Sequence, residues 1–358
     1  MPDSIKRAVD VLKAGGLVAI PTETVYGLAA DANNVSAIKK IFSSKGRPAG
    51  HPLIVHIAQP ELNVASDQQG AVNAWQEILS QWSRDVSPEA LILAHQFWPG
   101  PLTLILPKAK NVLSEVTGGQ ETVGVRCPQH PIAQNLLKAF GGGLAAPSAN
   151  RFGRISPTTA EHVREEFPGD EVLILDGGAC DVGIESTIVD LTRLDTHGPV
   201  VLRPGAITQV MIDQALNRQS DDGLVIKNTS TISGSNLSTP RVSGSLSAHY
   251  APKTKLVLYD AKDTASLFSE LNSSSDLKRL AWVHFPKDVS ENQPGLKNVA
   301  KELLLPLEPK GLARELYALL RQLDALNVDC IIFEKLPDGI EWDAVRDRLG
   351  RASVGSGM

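Results

Sequence analysis

Three hydroxyl side chains and one carboxylate lie within five consecutive positions: Thr22, Glu23, Thr24 and Tyr26. They follow the apolar run 17–20, which has the composition of a buried strand and is closed by Pro21. In open α/β sheets, ligands bind in the crevice beyond the strand ends, so a polar turn at this point is a candidate binding floor. The alternative is an ordinary turn in which threonine hydroxyls cap backbone groups and Gly27 allows the bend.

A second group of candidate functional residues is basic. Lys45 and Arg47 lie in the Gly/Pro-rich stretch 43–52, just before the apolar strand 53–57. Lysine acts as a movable point charge, whereas arginine presents a flat fork of donors that fits phosphate or carboxylate. The pair therefore suits a nucleotide phosphate, although most such pairs belong to solvated loops. His56 lies inside the strand, where it is either a satisfied core histidine or a ligand contact.

Two further cations stand at apolar strands. Arg126 lies within the strand 122–128 and Arg203 at the end of a later strand. Because burying an unpaired charge is costly, Arg126 requires either an internal carboxylate or an anionic ligand. Ser148 and Asn150 follow a glycine-rich turn and a short strand, where small residues let the backbone approach a ligand and polar side chains offer hydrogen bonds.

Several well-known chemistries lack their signatures in this chain. It contains no Gly-x-x-x-x-Gly-Lys-Ser/Thr loop, no Gly-x-Gly-x-x-Gly, no His-Glu-x-x-His and no Gly-x-Ser-x-Gly. The three cysteines, Cys127, Cys180 and Cys330, are far apart, which argues against a disulfide framework or a zinc site and indicates a reducing compartment. No stretch approaches the roughly 18 apolar residues of a membrane span. We therefore predict a cytoplasmic protein whose ligands are held by dispersed loops, with no membrane partner.

The charge distribution bears on nucleic-acid binding. The net charge is −5, with 17 basic against 21 acidic residues up to Gly205 and 18 against 19 beyond it. A protein that neutralises many phosphates usually carries a basic surplus, so avid nonspecific binding of nucleic acid is not expected. A local basic groove that makes weak contact with RNA stays open.

The order of apolar runs predicts an α/β protein with two domains. Residues 1–219 alternate strands and helical stripes, including a helical stretch over 66–97, and residues 220–252 form a long linker rich in Ser, Thr and Gly. Residues 253–358 predict a small parallel α/β domain with strands at 256–259, 280–283 and 330–333 and a helix at 309–326. The strand ends of this second domain show no comparable polar cluster, so we expect it to have a supporting or regulatory role.

Eight short stretches in this order resemble the YrdC-like domain of the threonylcarbamoyl-AMP synthase family. They are residues 21–28, 45–48, 52–56, 98–103, 123–128, 147–150, 185–187 and 203–205. Residues 249–252, His-Tyr-Ala-Pro, and the smaller C-terminal domain resemble the long, two-domain form of the family. The resemblance implies a YrdC-like twisted mixed sheet with flanking helices, then a long linker and a small Rossmann-like parallel α/β domain.

The same resemblance implies an enzyme, a nucleotidyltransferase. It would condense L-threonine, bicarbonate and ATP to threonylcarbamoyl-AMP, release pyrophosphate, and serve the threonylcarbamoyladenosine modification of tRNA through partner proteins that transfer the group. Catalysis would rest on positioning and charge stabilisation without a covalent enzyme intermediate. Mg²⁺ would come with ATP, with no dedicated protein ligands, and Glu23 and Glu185 are the carboxylates to examine near it.

Residue roles carried over from the family fall into three sets. Lys45 and Arg47 would be the catalytic cations. L-threonine would be bound by Thr24, His56, Arg126 and Ser186. ATP would be contacted by Lys45, Arg47, His51, Thr122, Ala146, Ser148, Asn150, Ser156, Arg203 and Tyr250. Tyr250 would fold back from the linker as a lid that excludes water. Two positions depart from the family pattern, because His51 replaces an asparagine and Phe152 a serine.

Two other functions stay open at this point. One is an RNA-binding module without catalysis, against which stand the acidic balance and the cost of burying Arg126 without a ligand. The other is a related carbamoyl-adenylate enzyme, such as the domain found in hydrogenase-maturation carbamoyltransferases. Those proteins carry zinc-finger segments, whereas this chain has no Cys-x-x-Cys.

Overall fold

The computed structural model describes residues 2–61, 68–216, 239–273, 279–286 and 296–357. The chain divides into two compact units, the first of residues 1–152 and 156–245 and the second of residues 153–155 and 246–358. The sequence predicted a separate linker over 220–252, and most of that segment, up to residue 238, lies outside the described residues.

A nine-stranded sheet forms the centre of the first unit. Its strands are β1 Leu17–Ile20, β2 Gly27–Asp31, β3 Ile54–His56, β4 Leu102–Pro107, β5 Thr122–Arg126, β6 Leu144–Ala145, β7 Val172–Ile174, β8 Thr187–Asp190 and β9 Val200–Arg203. They lie in the order β7-β1-β2-β6-β3-β5-β4-β8-β9. Because β1 pairs parallel with β7 and antiparallel with β2, the sheet is mixed, and the predicted fold class is confirmed.

Helices pack on this sheet through apolar stripes. They are α1 Asp3–Lys13, α2 Val35–Lys45, α3 Gln68–Ser80, α4 Pro88–Phe97, α5 Ser114–Thr117, α6 Pro131–Phe140, α7 Ala160–Glu166, α8 Leu194–His197 and α9 Gln209–Ala215. In α1 the residues Ile5, Ala8 and Leu12 recur at helical spacing and are buried in a core with Leu136 of α6. A larger core contains Trp75 of α3.

The single helical stretch expected over 66–97 is wrong in one respect. Helices α3 and α4 are separated by residues 81–87. Ser87 caps the start of α4 by accepting a hydrogen bond from the Ala90 amide, and Pro88 occupies the first turn, where its missing N–H costs nothing. Trp82, which falls within the predicted helical stretch, lies beyond α3 but is buried in the same core as Trp75.

The second unit contains a parallel four-stranded sheet. Its elements are β10 Lys255–Tyr259, α10 Thr264–Ser273, β11 Leu280–His284, β12 Val299–Leu304, α11 Pro309–Ala325, β13 Cys330–Glu334 and α12 Asp343–Gly355. The strand order is β10-β13-β11-β12. Strand β12 was not predicted, because this edge strand is largely exposed and carries Lys301 and Glu302 in place of an apolar run. Among the described residues, we find no helix with the length and apolar character needed to span a bilayer.

The expectation that the second unit has no polar cluster at its strand ends is wrong. Pairing of the parallel strands places Tyr259 opposite Glu334, and the Glu334 carboxylate accepts a hydrogen bond from the Phe285 amide at 3.1 Å. Tyr259 accepts a hydrogen bond from the Trp282 indole at 2.8 Å, and His284 stacks on the Trp282 ring. Tyr259, Trp282 and Glu334 are far apart along the chain, and strand pairing brings them together.

Candidate active site

Hydroxyl groups of the turn after β1 organise its backbone and leave one acceptor available. The Thr22 hydroxyl donates to the Val25 carbonyl at 2.6 Å and lies 2.8 Å from the Thr24 hydroxyl. Since a carbonyl can only accept and a hydroxyl has one hydrogen, Thr24 donates to Thr22. Thr22 therefore caps the turn, whereas Thr24 keeps acceptor capacity for another donor. Tyr26 is occupied elsewhere, because its hydroxyl donates to the Gly178 carbonyl at 2.8 Å.

Arg126 has an internal carboxylate partner, which the sequence left unidentified. Its Nη2 donates to Glu23 Oε1 at 2.6 Å, and Glu23 Oε2 accepts from the Gln129 amide at 2.9 Å. Each of the two charged side chains is only 5% exposed, so the pair is almost fully withdrawn from water. Arg126 Nε is buried with no hydrogen-bond partner among the described residues. The guanidinium therefore retains a donor for a second acceptor.

His56 lies beside Arg126 at the end of a neighbouring strand. Strands β3 and β5 are parallel, and their register pairs His56 with Arg126. Burial, reinforced by the Arg126 charge, lowers the pKa of His56 to about 3. The ring is therefore neutral at neutral pH, and its Nδ1, 3.2 Å from the Ile54 carbonyl, carries the hydrogen. Nε2 is then an acceptor, which suits a hydroxyl or ammonium group.

Ser186 belongs to the same group of strand ends. It directly precedes β8, which pairs in parallel with β4, and its hydroxyl lies 2.8 Å from that of Thr103 in β4. Arg203 at the end of β9 donates from Nη2 to the Ser186 carbonyl at 2.9 Å and to its hydroxyl at 3.1 Å. The ends of β3, β5, β4 and β8 are consecutive in the sheet, so these polar groups share one edge. Thr103 was not predicted as a site residue.

Lys45 is a buried cation with neutral partners. It is the last residue of α2, not part of the following loop as the sequence suggested, and Gly46 ends the helix in the left-handed region. Its ammonium donates to the Ser148 carbonyl at 2.6 Å and to the Asn150 carbonyl. Burial and the nearby Arg47 charge lower the pKa of Lys45 well below its ordinary value. A buried ammonium held by carbonyl oxygens favours an anionic ligand that supplies the missing negative charge.

Arg47 and Arg203 both contact Ser243. Arg47 Nη2 donates to the Pro52 carbonyl at 3.0 Å and lies 3.4 Å from the Ser243 hydroxyl, while Arg203 Nη1 donates to the Ser243 carbonyl at 2.9 Å. The Arg47 guanidinium carbon is 5.7 Å from the centroid of the Phe152 ring, within cation–π range. Ser243 falls within the predicted linker 220–252, and the sequence assigned it no role.

The remaining predicted ATP contacts lie on strand ends and loops of the first unit. The Ser156 hydroxyl donates to Glu185 at 2.6 Å, and the Asn150 side chain donates to the Arg151 carbonyl at 2.7 Å. Thr122 begins β5, and the Ala146 amide donates to the Ile54 carbonyl at 3.0 Å. Burial and the charges of Arg47 and Arg241 lower the pKa of His51, whose ring lies 5.3 Å from that of Phe152. These five residues were assigned to ATP by resemblance, and their contacts with ATP stay predictions.

Tyr250 lies in the second unit. It is buried there, with its ring centroid 5.6 Å from that of Tyr317 and 5.4 Å from the Arg348 guanidinium carbon. Its backbone adopts a positive φ of 61°, which is unusual for a residue with a side chain. The role of Tyr250 as a lid over ATP stays a prediction.

The carboxylates do not form a metal cage. Glu23 is held by Arg126, and Glu185 accepts from Ser156. Within the described ranges, no three His, Cys, Asp or Glu side chains are grouped so that they could hold a metal ion. Both carboxylates are held by protein donors, and the arrival of Mg²⁺ with ATP stays a prediction.

Comparison with known proteins gives matches over nearly the whole chain. A family described as "Telomere recombination" (Sua5, YciO and YrdC) matches residues 10–205, and the "Threonylcarbamoyl-AMP synthase, C-terminal domain" family matches residues 207–354. The threonylcarbamoyl-AMP synthase of Pyrococcus abyssi is 35% identical to the chain, and the match covers 98% of this chain and 94% of the relative. The threonylcarbamoyl-AMP synthase of Bacillus subtilis is 36% identical, and the match covers 98% of this chain and 93% of the relative. The crystal structure of P. abyssi Sua5 complexed with L-threonine is similar with a TM-score of 0.78 at 35% identity, covering 98% of this chain and 94% of that one.

Proposed function

The chain belongs to the threonylcarbamoyl-AMP synthase family in its two-domain form, and from that premise we propose how its first unit makes threonylcarbamoyl-AMP. The substrates would be L-threonine, bicarbonate and ATP, and the products threonylcarbamoyl-AMP and pyrophosphate. The observation that carries the proposal is the match over 98% of the chain to relatives that bear this name. The buried polar side chains at the ends of β3, β5, β4 and β8 support the proposal, because they offer hydrogen bonds to each part of the substrates.

Threonine would lie against the strand ends that carry Arg126 and His56. The donor that Arg126 Nε retains suits the substrate carboxylate, since charge-assisted bonds of this kind are the strong ones. Neutral His56 would accept the hydrogen of the threonine hydroxyl through Nε2. Thr24 and Ser186, both buried, would complete the pocket with acceptors for the amino group.

ATP would lie against the buried cations. Lys45, Arg47 and Arg203 are each less than a tenth exposed, so their attraction for phosphate oxygens is weakly screened by solvent. His51, Thr122, Ala146, Ser148, Asn150, Ser156 and Tyr250 are the further groups assigned to ATP. Mg²⁺ would enter as the MgATP complex, neutralising part of the pyrophosphate leaving group.

The reaction needs two bond-forming steps. The threonine amine attacks the bicarbonate carbon, which forms the C–N bond of a carbamate and releases water. A carbamate oxygen then attacks the α-phosphorus of ATP, and the bond to the pyrophosphate oxygen breaks. Lys45 and Arg47 would stabilise the charge that develops on the phosphates, and no side chain needs to become covalently attached. Burial of the site would slow hydrolysis of the mixed anhydride.

In tRNA modification, the threonylcarbamoyl group would pass to an adenosine through partner proteins. The product is an activated acyl phosphate, so a protein that transfers its acyl group to an amine is the chemical partner that it requires. A weak contact with RNA remains part of this expectation.

The test is pyrophosphate release by the purified chain with MgATP, leaving out L-threonine or bicarbonate in turn. We expect release to require both. Arg126→Ala should lose activity mainly through a higher KM for threonine. Arg164→Ala, which removes an exposed arginine that pairs with the surface residues Glu161 and Asp176, should match the wild type. Release that ignores threonine would overturn the proposal in favour of another acceptor, and no release by folded protein that binds RNA would favour the binding module.

A further inference from the structure

We propose that Glu23 is a positioning residue for the amino-acid substrate, because it fixes the guanidinium of Arg126. The proposal rests on the proposed function, in which Arg126 binds the carboxylate of threonine. Glu23 thereby has a role other than that of a carboxylate near Mg²⁺.

The contacts of Glu23 define how Arg126 is held. One carboxylate oxygen takes Arg126 Nη2 at 2.6 Å, and the other is fixed by the Gln129 amide at 2.9 Å. Glu23 follows β1 and Arg126 ends β5, and three strands separate these two in the sheet. The Glu23 carboxylate therefore bonds both to the end of β5 and to the turn after that strand. Its bond to the Gln129 amide keeps the carboxylate in place, so that Glu23 restrains the position of Arg126.

Engagement through a single oxygen matters for recognition. A bidentate carboxylate would use two nitrogens of the guanidinium, whereas Glu23 uses Nη2 alone, and buried Nε keeps its hydrogen. Arg126 is thus oriented before the substrate arrives, and less side-chain freedom is lost on binding. Glu23 also balances the charge of Arg126, without which an empty pocket would contain a buried, unpaired cation.

The competing explanation is that the pair only stabilises the fold. Glu23→Gln separates the two explanations, since it preserves shape but replaces one oxygen with an NH₂ donor. Either Arg126 Nη2 or the Gln129 amide then faces a donor, and one of the two anchoring bonds is lost. Glu23→Asp keeps the charge but shortens the side chain by one methylene.

A matched control lies in the same unit. Asp190 at the end of β8 is fully buried and pairs with Arg193 Nε at 2.7 Å, which makes it a carboxylate–arginine pair of the same kind. It has no place in the proposed site. Asp190→Asn therefore reports the effect of weakening a buried pair on stability alone.

The experiment measures pyrophosphate release as separate functions of threonine and ATP concentration. For Glu23→Gln we expect KM for threonine to rise by about tenfold or more, the size of one lost charge-assisted bond, with KM for ATP and kcat nearly unchanged. Glu23→Asp should lie between it and the wild type, and Asp190→Asn should leave all three constants unchanged while lowering stability.

Three results would overturn the inference. The first is a wild-type KM for threonine in Glu23→Gln, and the second is an equal change in all three constants, as expected of a damaged fold. The third result applies if Glu23→Gln does not fold. It is a Glu23→Asp variant with wild-type kinetic constants and normal stability. By contrast, failure of the wild-type chain itself to release pyrophosphate in response to threonine would refute the proposed function, which distinguishes the two cases.

Discussion

Replacement of Gly205 by alanine should damage both the stability of the first unit and its activity. Gly205 follows β9, and a Cβ built on it would lie 2.4 Å from the Thr187 amide nitrogen and 2.9 Å from the Ser186 carbonyl carbon. Ordinary contacts of this kind begin at 3.4 Å, so the two segments would have to separate by 3.4 − 2.4 = 1.0 Å. The obstacle is backbone, which cannot rotate out of the way.

The magnitude follows from the position of this clash. Adding a methyl group to a packed interior costs about 1–3 kcal/mol, and we expect the free energy of unfolding to fall by that amount. The displacement falls on Ser186, which accepts hydrogen bonds from Arg203 and belongs to the proposed threonine pocket. Because a misplacement of about 1 Å can cost about 100-fold in rate, kcat/KM for threonine should fall by about 10- to 100-fold.

The assay combines urea unfolding with pyrophosphate release. Gly141→Ala is the matched control, because Gly141 follows α6 with a φ of +75° but has no atom within 4 Å of a built Cβ. It should cost about 1 kcal/mol of backbone strain and leave activity unchanged. Wild-type stability and activity in Gly205→Ala, or an equal loss of activity in both variants, would refute this prediction.

Three further predictions concern stability. The pKa of His56 falls from 6.5 to about 3 on folding, so the unfolded chain binds the proton more tightly and stability drops as the pH decreases through this window. The free energy of unfolding should fall by about 2 kcal/mol between pH 7 and pH 5. In His56→Asn this pH dependence, measured by urea unfolding at each pH, should be much weaker. An unchanged pH dependence would contradict a buried neutral imidazole. Gly350→Ala, in α12 with open space around the new methyl, should stabilise the second unit by about 0.5–1 kcal/mol in thermal unfolding, and a lower midpoint would count against this account. Ser87→Ala removes the cap of α4 and should cost about 1 kcal/mol in urea unfolding, whereas a loss below a few tenths would show that the cap bond contributes little.

Much of the fold was readable from local patterns. The short apolar runs located most strands of both sheets, because a strand covered on both faces needs apolar residues at consecutive positions. β12 escaped detection since an exposed edge strand has no such requirement. The break between α3 and α4 depends on Ser87 and Pro88, a local stop-and-start signal that was overlooked within a long apolar stripe.

The sequence by itself determined which side chains could do chemistry, namely cations that need anions and hydroxyl groups beyond strand ends. It also showed that Arg126 must have a partner, since the cost of an unpaired buried charge does not depend on the fold. Only the tertiary structure decided that the partner is Glu23, 103 positions away, and that Ser243 meets both Arg47 and Arg203. Contacts over such distances come from strand order and loop closure, which leave no trace in local periodicity.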